Sequence, residues 1–385
     1  MTPITDNAAL EAFCNRIAAE PFIAVDTEFM RETTYWPKLC LVQVASETDA
    51  ANIDPLAPGL NLKPLLDVLA DPKVVKVFHA ARQDVEIFNN LGVIPSPLFD
   101  TQVAGMAAGF GEQIAYDALV RQLLKIDIDK SSRFTDWSRR PLSEAQMSYA
   151  LADVTHLAKL YPLLRDRLEQ AGRLGWVNEE MASLTDKAAY DLDPEKSWRR
   201  LKPRKFTPRY LAAFKAAAAW RERTAQARDQ PRGRILKDEA IDEIATQGPT
   251  DAEGLNRLRS VPKGFSGSKF GPDLLDALKK ALKNPEAYAP KIERGPAPAP
   301  SGGAVVELLK VLLKARSEDA GVASKLIATV SDLEKLAVDD TADVSALGGW
   351  RRKLFGEDAL RLKRGELALV LEGARVRVVE LEGEE

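Results

Sequence analysis

Cysteine and histidine are the scarcest chemistry-bearing residues of this 385-residue chain, represented only by Cys14, Cys40, His79 and His156. With no Cys-x-x-Cys pair, a disulfide scaffold is excluded and a Cys/His zinc site lacks ligands. Any bound metal must therefore be held by carboxylates. No stretch of about 18 uninterrupted apolar residues occurs. The first twenty residues carry Asp6, Glu11, Arg16 and Glu20 among apolar positions instead of a basic start and an apolar run. No membrane partner is expected, and the chain reads as soluble and cytoplasmic. Glycine loops for nucleotides are missing too: Gly105 to Gly111 lacks the Gly-x-Gly-x-x-Gly spacing, and no Gly-Lys-Ser/Thr follows a glycine run. No coiled-coil or interface signature points to a protein partner, and the oligomeric state is left open.

What is present is an ordinary globular composition, 45% hydrophobic and 29% charged, with a net charge of -3 that hides a local asymmetry. Between Lys196 and Lys237 fourteen Lys and Arg residues face only Glu222 and Asp229, a balance of +12. Such a stretch, with Arg199, Arg200, Arg204 and Lys205 near its start, is either a footprint for polyanions or a solvated helix face with a basic linker.

The first half alternates. Phe22 to Asp26, Leu39 to Ala45 and Val74 to Phe78 are apolar runs of strand length, while apolar positions from Met147 to Leu164 recur three and four apart and predict a helix from Ser143 to about Ala171. Residues 191–208, with Pro194, Pro203 and Pro208, read as a linker. Residues 284–303, with Pro285, Pro290, Pro296, Pro298 and Pro300, read as a second. Three units are expected: an α/β domain over 1–190 and helical domains over 200–283 and 304–385. The two helical units look like diverged copies. Phe270-Gly-Pro-Asp-Leu-Leu lines up with Phe355-Gly-Glu-Asp-Ala-Leu, and Arg234-Ile235-Leu236 with Lys325-Leu326-Ile327.

Chemistry concentrates at three places. Asp26 and Glu28 follow an apolar run at i and i+2, so both point to one face of a strand, an unfavourable pairing unless solvent or a cation compensates. Tyr149 and Asp153 lie at i and i+4 on the predicted helix. Asp84 falls where the strand ending at Phe78 passes into a helix, a favoured place for a carboxylate. Each taken alone is also what an ordinary packed or solvated residue looks like.

Taken together, Asp26-x-Glu28, Asp84 and Tyr149-x-x-x-Asp153 resemble the three exonuclease motifs of the DEDD superfamily in its tyrosine-containing branch. The flanks Arg31 to Gln43, His79-Ala-Ala-Arg-Gln-Asp84, Phe99-Asp100-Thr101-Gln102 and Asp136-Trp137-Ser-Arg-Arg-Pro141 resemble the ribonuclease D family over roughly residues 1 to 200. The repeated module is similar to the HRDC domain, the first copy more typical than the second. The resemblance implies an α/β RNase H-like exonuclease domain with a mixed sheet flanked by helices, followed by two all-α HRDC-like helical domains. It implies hydrolysis of RNA from the 3′ end to nucleoside 5′-monophosphates with two divalent ions, Mg²⁺ or Mn²⁺, acting on tRNA precursors with 3′ extensions. Asp26, Glu28, Asp84 and Asp153 would hold the ions and Tyr149 would orient the attacking water. Phe29 and His79 beside the site, and Arg199, Arg200, Arg204 and Lys205 beyond it, would meet the RNA; His156 is expected to pack on its helix. A DNA exonuclease and a catalytically silent RNA-binding protein are the alternatives.

Overall fold

The computed structural model describes residues 2–129, 135–292 and 302–381. Helix α1 (Asn7–Ile17), capped by the Asp6 carboxylate on the Ala9 N–H, leads into strand β1 (Phe22–Met30), whose apolar start Phe22-Ile-Ala-Val is fully buried. Strands β2 (Lys38–Ala45) and β3 (Ala50–Ile53), helix α2 (Lys63–Ala70), strand β4 (Val75–Phe78), helix α3 (Arg82–Asn90), strand β5 (Leu98–Asp100) and helix α4 (Thr101–Ala107) follow, then α5 (Tyr116–Leu124), α6 (Glu144–Gln170) and α7 (Leu174–Thr185). The sheet order is β3-β2-β1-β4-β5, antiparallel on the β2 side of β1 and parallel on the β4 side. This is the expected mixed sheet flanked by helices.

The longest helix is set by local chemistry at its start. Ser143 caps the Gln146 N–H and the Gln146 side chain returns to the Ser143 N–H, closing a capping box. From there α6 crosses β1, β2 and β3 and buries Ala150, Val154, Leu157, Leu160 and Leu164 on the sheet. Arg140 fixes the segment before it through a bidentate pair with Asp54 (2.7 Å to each oxygen) and a bond to the Cys40 carbonyl.

Helices α8 (Pro208–Arg228), α9 (Arg232–Ile235), α10 (Asp238–Gln247), α11 (Ala252–Asn256), α12 (Gly271–Lys283) and α13 (Pro285–Tyr288) form a unit with its own core around Phe214, Trp220, Ile241, Leu274 and Leu278. The stretch expected as a linker before it is instead part of it. Leu192, Trp198 and Leu201 supply apolar anchors that pack on this core, and Glu195 pairs with Arg223 at 2.7 Å. The start of the second expected linker also packs: Tyr288 lies under Lys215 (4.9 Å) and Ile292 meets the core. Its remainder, residues 293–301, lies outside the described residues.

Helices α14 (Gly302–Ala320), α15 (Ser324–Ile327), α16 (Val330–Val338), α17 (Gly349–Arg351) and α18 (Glu357–Lys363) make up most of the last unit. It is not all-α as expected. Strands β6 (Leu367–Glu372) and β7 (Arg375–Glu380) pair antiparallel, because Arg375-Val-Arg-Val-Val alternates with the period of a strand and Gly373 (φ 62) supplies the left-handed turn residue. The core of this unit runs without a break into that of the α/β domain. Trp350 stacks on Trp176 of α7 at 4.1 Å, and the Ala323 N–H donates to the Met106 carbonyl at 3.0 Å.

The two helical units share a detail finer than their order of helices. In each, a one-turn helix follows the long one, α9 and α15, and matching their ends sets Ile235 against Ile327, one residue from the alignment read in the sequence. In each, a glycine rests on the middle carbonyl of a 3₁₀ turn: a Cβ on Gly271 would lie 2.2 Å from the Ser266 oxygen, and one on Gly356 would lie 2.3 Å from the Ala346 oxygen. Only glycine permits that approach.

Candidate active site

Strand alternation sends Asp26 and Glu28 to the face covered by α6, where Asp153 comes down from the helix. One carboxylate oxygen from each of the three lies within 4.8 Å of the others. The ladder between β1 and β2 slips between Glu28 and Phe29, a bulge at the point where the second carboxylate must be aimed. Thr27 alternates to the other face, and its hydroxyl donates to Asp84 Oδ1 at 2.5 Å, so Asp84 joins from the start of α3 on the far side of β1.

These carboxyls are crowded, Asp84 and Asp153 buried and Asp26 and Glu28 half-buried. Burial pushes Asp26 up to about 6, against the lowering effect of the Thr27 backbone. Burial, with the Asp26 charge beside it, pushes Asp84 well above the usual carboxylate range. Burial also raises the Tyr149 phenol, and Asp153, Glu28 and Asp26 raise it further, so the hydroxyl stays protonated. Tyr149 is hydrogen-bonded to Asp153 and packs its ring against the buried Trp137 at 6.3 Å.

Asp26, Tyr149 and Asp153 open onto a cavity of about 400 Å³ whose walls include His79, Ala80, Gln102, Tyr116, Asp117 and Leu157. Burial lowers the His79 imidazole, with Asp100 acting against it; His79 Nδ1 meets the Thr101 hydroxyl at 2.9 Å. Ala80 takes a left-handed conformation (φ 59), held because Asp100 accepts from the Ala80 and Ala81 N–H groups at 3.0 and 2.8 Å. Phe29, half-buried beyond the bulge, is not among the lining residues, and neither is the half-buried His156 of α6.

Sequence reasoning missed the parts played by one wall residue, Tyr116, and by Asp100 behind the wall. The Tyr116 hydroxyl donates to the Asp153 carbonyl and its ring lies 5.3 Å from His79, a contact between distant elements that no spacing reveals. Asp100 stood within a recognisable motif, yet its task, bracing the His79-Ala80-Ala81 turn, shows only in three dimensions.

Half of the fourteen cations of the basic stretch form ion pairs within the protein. Arg200 and Arg232 pair with Glu222 (3.2 and 2.5 Å), Arg204 with Asp242 (3.7 Å), Lys196 with Asp191 (2.6 Å), and Arg221 is buried on Asp238 (2.6 Å). Lys205 is exposed, and Arg199 is exposed with its guanidinium over the Trp198 ring at 5.8 Å.

A mixed sheet with three convergent carboxylates at the end of its central strand is the framework of a 3′-5′ exonuclease, and residues 1–169 match the 3′-5′ exonuclease family, with residues 211–278 matching the HRDC domain. The chain is 52% identical over 381 residues to ribonuclease D of Nitrobacter hamburgensis, covering 99% of this chain and 100% of that one, and 52% identical over 383 residues to that of Granulibacter bethesdensis, covering 98% and 96%. Among solved structures, Escherichia coli RNase D, described as an exoribonuclease involved in structured RNA processing, superposes with a TM-score of 0.82 at 29% identity over 95% of this chain and 99% of that one. The catalytic core of RRP6 from Trypanosoma brucei gives 0.54 at 25% identity, over 73% and 79%. The chain belongs to the ribonuclease D family and is a hydrolytic 3′-5′ exoribonuclease. Among the described residues no helix is long and apolar enough to cross a membrane.

Proposed function

We propose that this exoribonuclease hydrolyses RNA with two divalent ions, Mg²⁺ or Mn²⁺, releases nucleoside 5′-monophosphates, and trims tRNA precursors with 3′ extensions in the cytoplasm. The observation that carries the reading is the convergence of Asp26, Glu28 and Asp153 within 4.8 Å beside a buried Asp84. Four crowded carboxyls, partly or fully buried, repel one another, and hard cations with oxygen ligands offset that charge. Asp26, Glu28 and Asp153 would hold one ion, and Asp84 together with Asp26 the other. When bound, such a pair supplies a nucleophilic water at neutral pH and holds negative charge on the leaving oxygen.

The chain's own residues do the positioning. Tyr149, kept protonated, acts as a hydrogen-bond donor beside Asp153 rather than as a base. The 400 Å³ cavity is sized for one terminal nucleotide, with His79 and Tyr116 as its wall. Phe29, outside the cavity lining, would meet the RNA strand next to the terminal nucleotide. Arg199 and Lys205 are the cations of the basic stretch best placed to meet phosphates, with Arg200 and Arg204 contributing through their half-exposed or exposed guanidinium groups. We also assign residues 304–385 as a second, diverged HRDC-like domain, an assignment supported by the paired one-turn helices and by Gly271 and Gly356.

Incubating the protein with a 3′-extended tRNA and with single-stranded DNA of matched sequence, with and without Mg²⁺, tests the reading. Mg²⁺-dependent release of mononucleotides from the tRNA's 3′ end is expected, and from DNA much less. Equal action on DNA, or undiminished hydrolysis in chelator, would refute it.

A further inference from the structure

Strand β1 ends at Met30, and the loop that follows, residues 31–37, is tied to two different parts of the protein. Arg31 makes a bidentate pair with Glu86 (2.9 and 2.7 Å) on α3, the helix that carries Asp84. Tyr35, only 3% exposed, is buried in the core of the first helical unit and not in that of the α/β domain. Its hydroxyl donates to Glu222 Oε1 at 2.5 Å and accepts from Arg232 at 2.9 Å and Gln226 at 3.2 Å, while the Arg232 guanidinium lies over its ring at 4.6 Å. The backbone N–H groups of Tyr35 and Trp36 both donate to Asp229 Oδ1, at 3.0 and 2.9 Å. Asp229 ends α8 in a left-handed conformation, φ 48. After the loop, β2 returns along β1 and sets Leu41 opposite Glu28.

The helical unit thus grips the connection of the very hairpin that presents Asp26 and Glu28. The bulge at Glu28/Phe29 interrupts the ladder there before pairing resumes at Phe29–Leu39 and Met30–Lys38, so where the carboxylate-bearing end of β1 sits also depends on how the loop beyond it is held. The anchor on the loop adds to the Thr27–Asp84 and Arg31–Glu86 ties in holding it, and misplacement of a reacting group by about 1 Å can cost about 10²-fold in rate.

We propose that Tyr35 and Asp229 are positioning residues for hydrolysis: through them the first helical unit fixes the carboxylate-bearing end of β1, separately from any hold it has on RNA. The inference rests on the assignment of Asp26 and Glu28 to the metal site. A merely adhesive contact between domains would stabilise the protein and leave the rate on a minimal substrate untouched.

The test uses the full chain and an RNA dinucleotide, which reaches little beyond the cavity. Asp229→Gly keeps the positive φ that the end of α8 requires and deletes the acceptor; Asp229→Asn keeps an oxygen in its place. Asp229→Gly is expected to lower kcat on the order of tenfold with KM within about twofold. It should also weaken Mn²⁺ binding to the metal-free protein by calorimetry and speed amide exchange over residues 28–36. Asp229→Asn should restore all three. Should Asp229→Gly fail to fold, Tyr35→Phe, which keeps the ring under Arg232, is read in the same way. Wild-type kcat and Mn²⁺ affinity in Asp229→Gly, or an equal loss in Asp229→Asn, overturns the proposal. A wild-type chain unable to hydrolyse the dinucleotide in Mg²⁺ sinks the metal-site assignment and this inference together, whereas an active wild type with an equally active Asp229→Gly sinks this inference alone.

Discussion

The Thr27 hydroxyl donates to Asp84 Oδ1 at 2.5 Å, joining a residue of β1 to one of α3 57 positions further along the chain. Because Thr27 is buried and its neighbours in β1 carry the other carboxylates, one side chain ties the α3 carboxylate to those of the strand. Thr27→Val preserves shape and removes the donor. It should cost about 1–3 kcal/mol of stability, the penalty of leaving a buried partner short of a bond, and raise the Mg²⁺ concentration needed for half-maximal turnover. A Mg²⁺ titration indistinguishable from wild type would contradict the role given to Asp84.

Tyr149→Phe keeps the packing against Trp137 and deletes only the hydroxyl. Turnover should fall on the order of 10²-fold while RNA affinity changes little. Asp153→Asn, in contrast, should remove most turnover and leave the melting temperature of the metal-free protein unchanged or higher, since like charge is being taken from one cluster. Single-turnover kinetics alongside thermal unfolding separate the two behaviours.

Glu222 gives a pH signature away from the active site. Burial pulls its pKa up, but hydrogen bonds from Arg232 and Tyr35 and the Arg232 and Arg200 charges outweigh burial, leaving it below its ordinary 4.5. A folded-state pKa below the unfolded one contributes stability that is present above about pH 5 and is lost as pH falls through the folded value. Glu222→Gln should lower stability at pH 7 by on the order of 2 kcal/mol, Arg200 and Arg232 keeping part of their hydration. It should also flatten the fall in stability between pH 5 and the acid limb. Urea unfolding at several pH values checks this; parallel curves for the two proteins would refute it.

Capture of RNA is tested at Arg199 and Lys205, whose reversal to Glu breaks no ion pair described above. If each meets a phosphate, the double variant should bind tRNA more weakly and reduce the slope of log affinity against log salt by roughly 0.7–0.9 for each phosphate no longer neutralised. Arg200 and Arg204 are poorer probes, because reversing them also sets like charge against Glu222 and Asp242. Unchanged slopes would leave the basic stretch without a capture role.

Local rules made two pairs legible in the sequence, period two placing Asp26 with Glu28 and a helical turn placing Tyr149 with Asp153, while the joining of these pairs with Asp84 into one site came from the resemblance to the exonuclease motifs. Strand and helix limits followed the same periodicities, α6 being expected from Ser143 and found from Glu144. What stayed hidden depends on partners remote in the chain. Tyr116 and Asp100 act by tertiary contact. The +12 stretch counted only the acids within its own bounds, and Asp191, Glu195, Asp238 and Asp242 neutralise much of it from just outside or across the fold. The hairpin at 367–380 was missed because the repeat argument carried the helical reading of the first unit onto the second, although the alternation of Arg375 to Val379 was there to be read.

The continuity of apolar packing between the α/β domain and residues 302–381 bears on how the molecule comes apart. The first helical unit has a separate interior that takes in little of the nuclease besides Tyr35 and Trp36, whereas the last unit shares one interior with it. Cooperative unfolding follows shared interiors, not chain order. The first and third segments should therefore melt as one block, with the middle segment as the other, so that the polypeptide's two ends lose structure together while its centre answers to a different temperature.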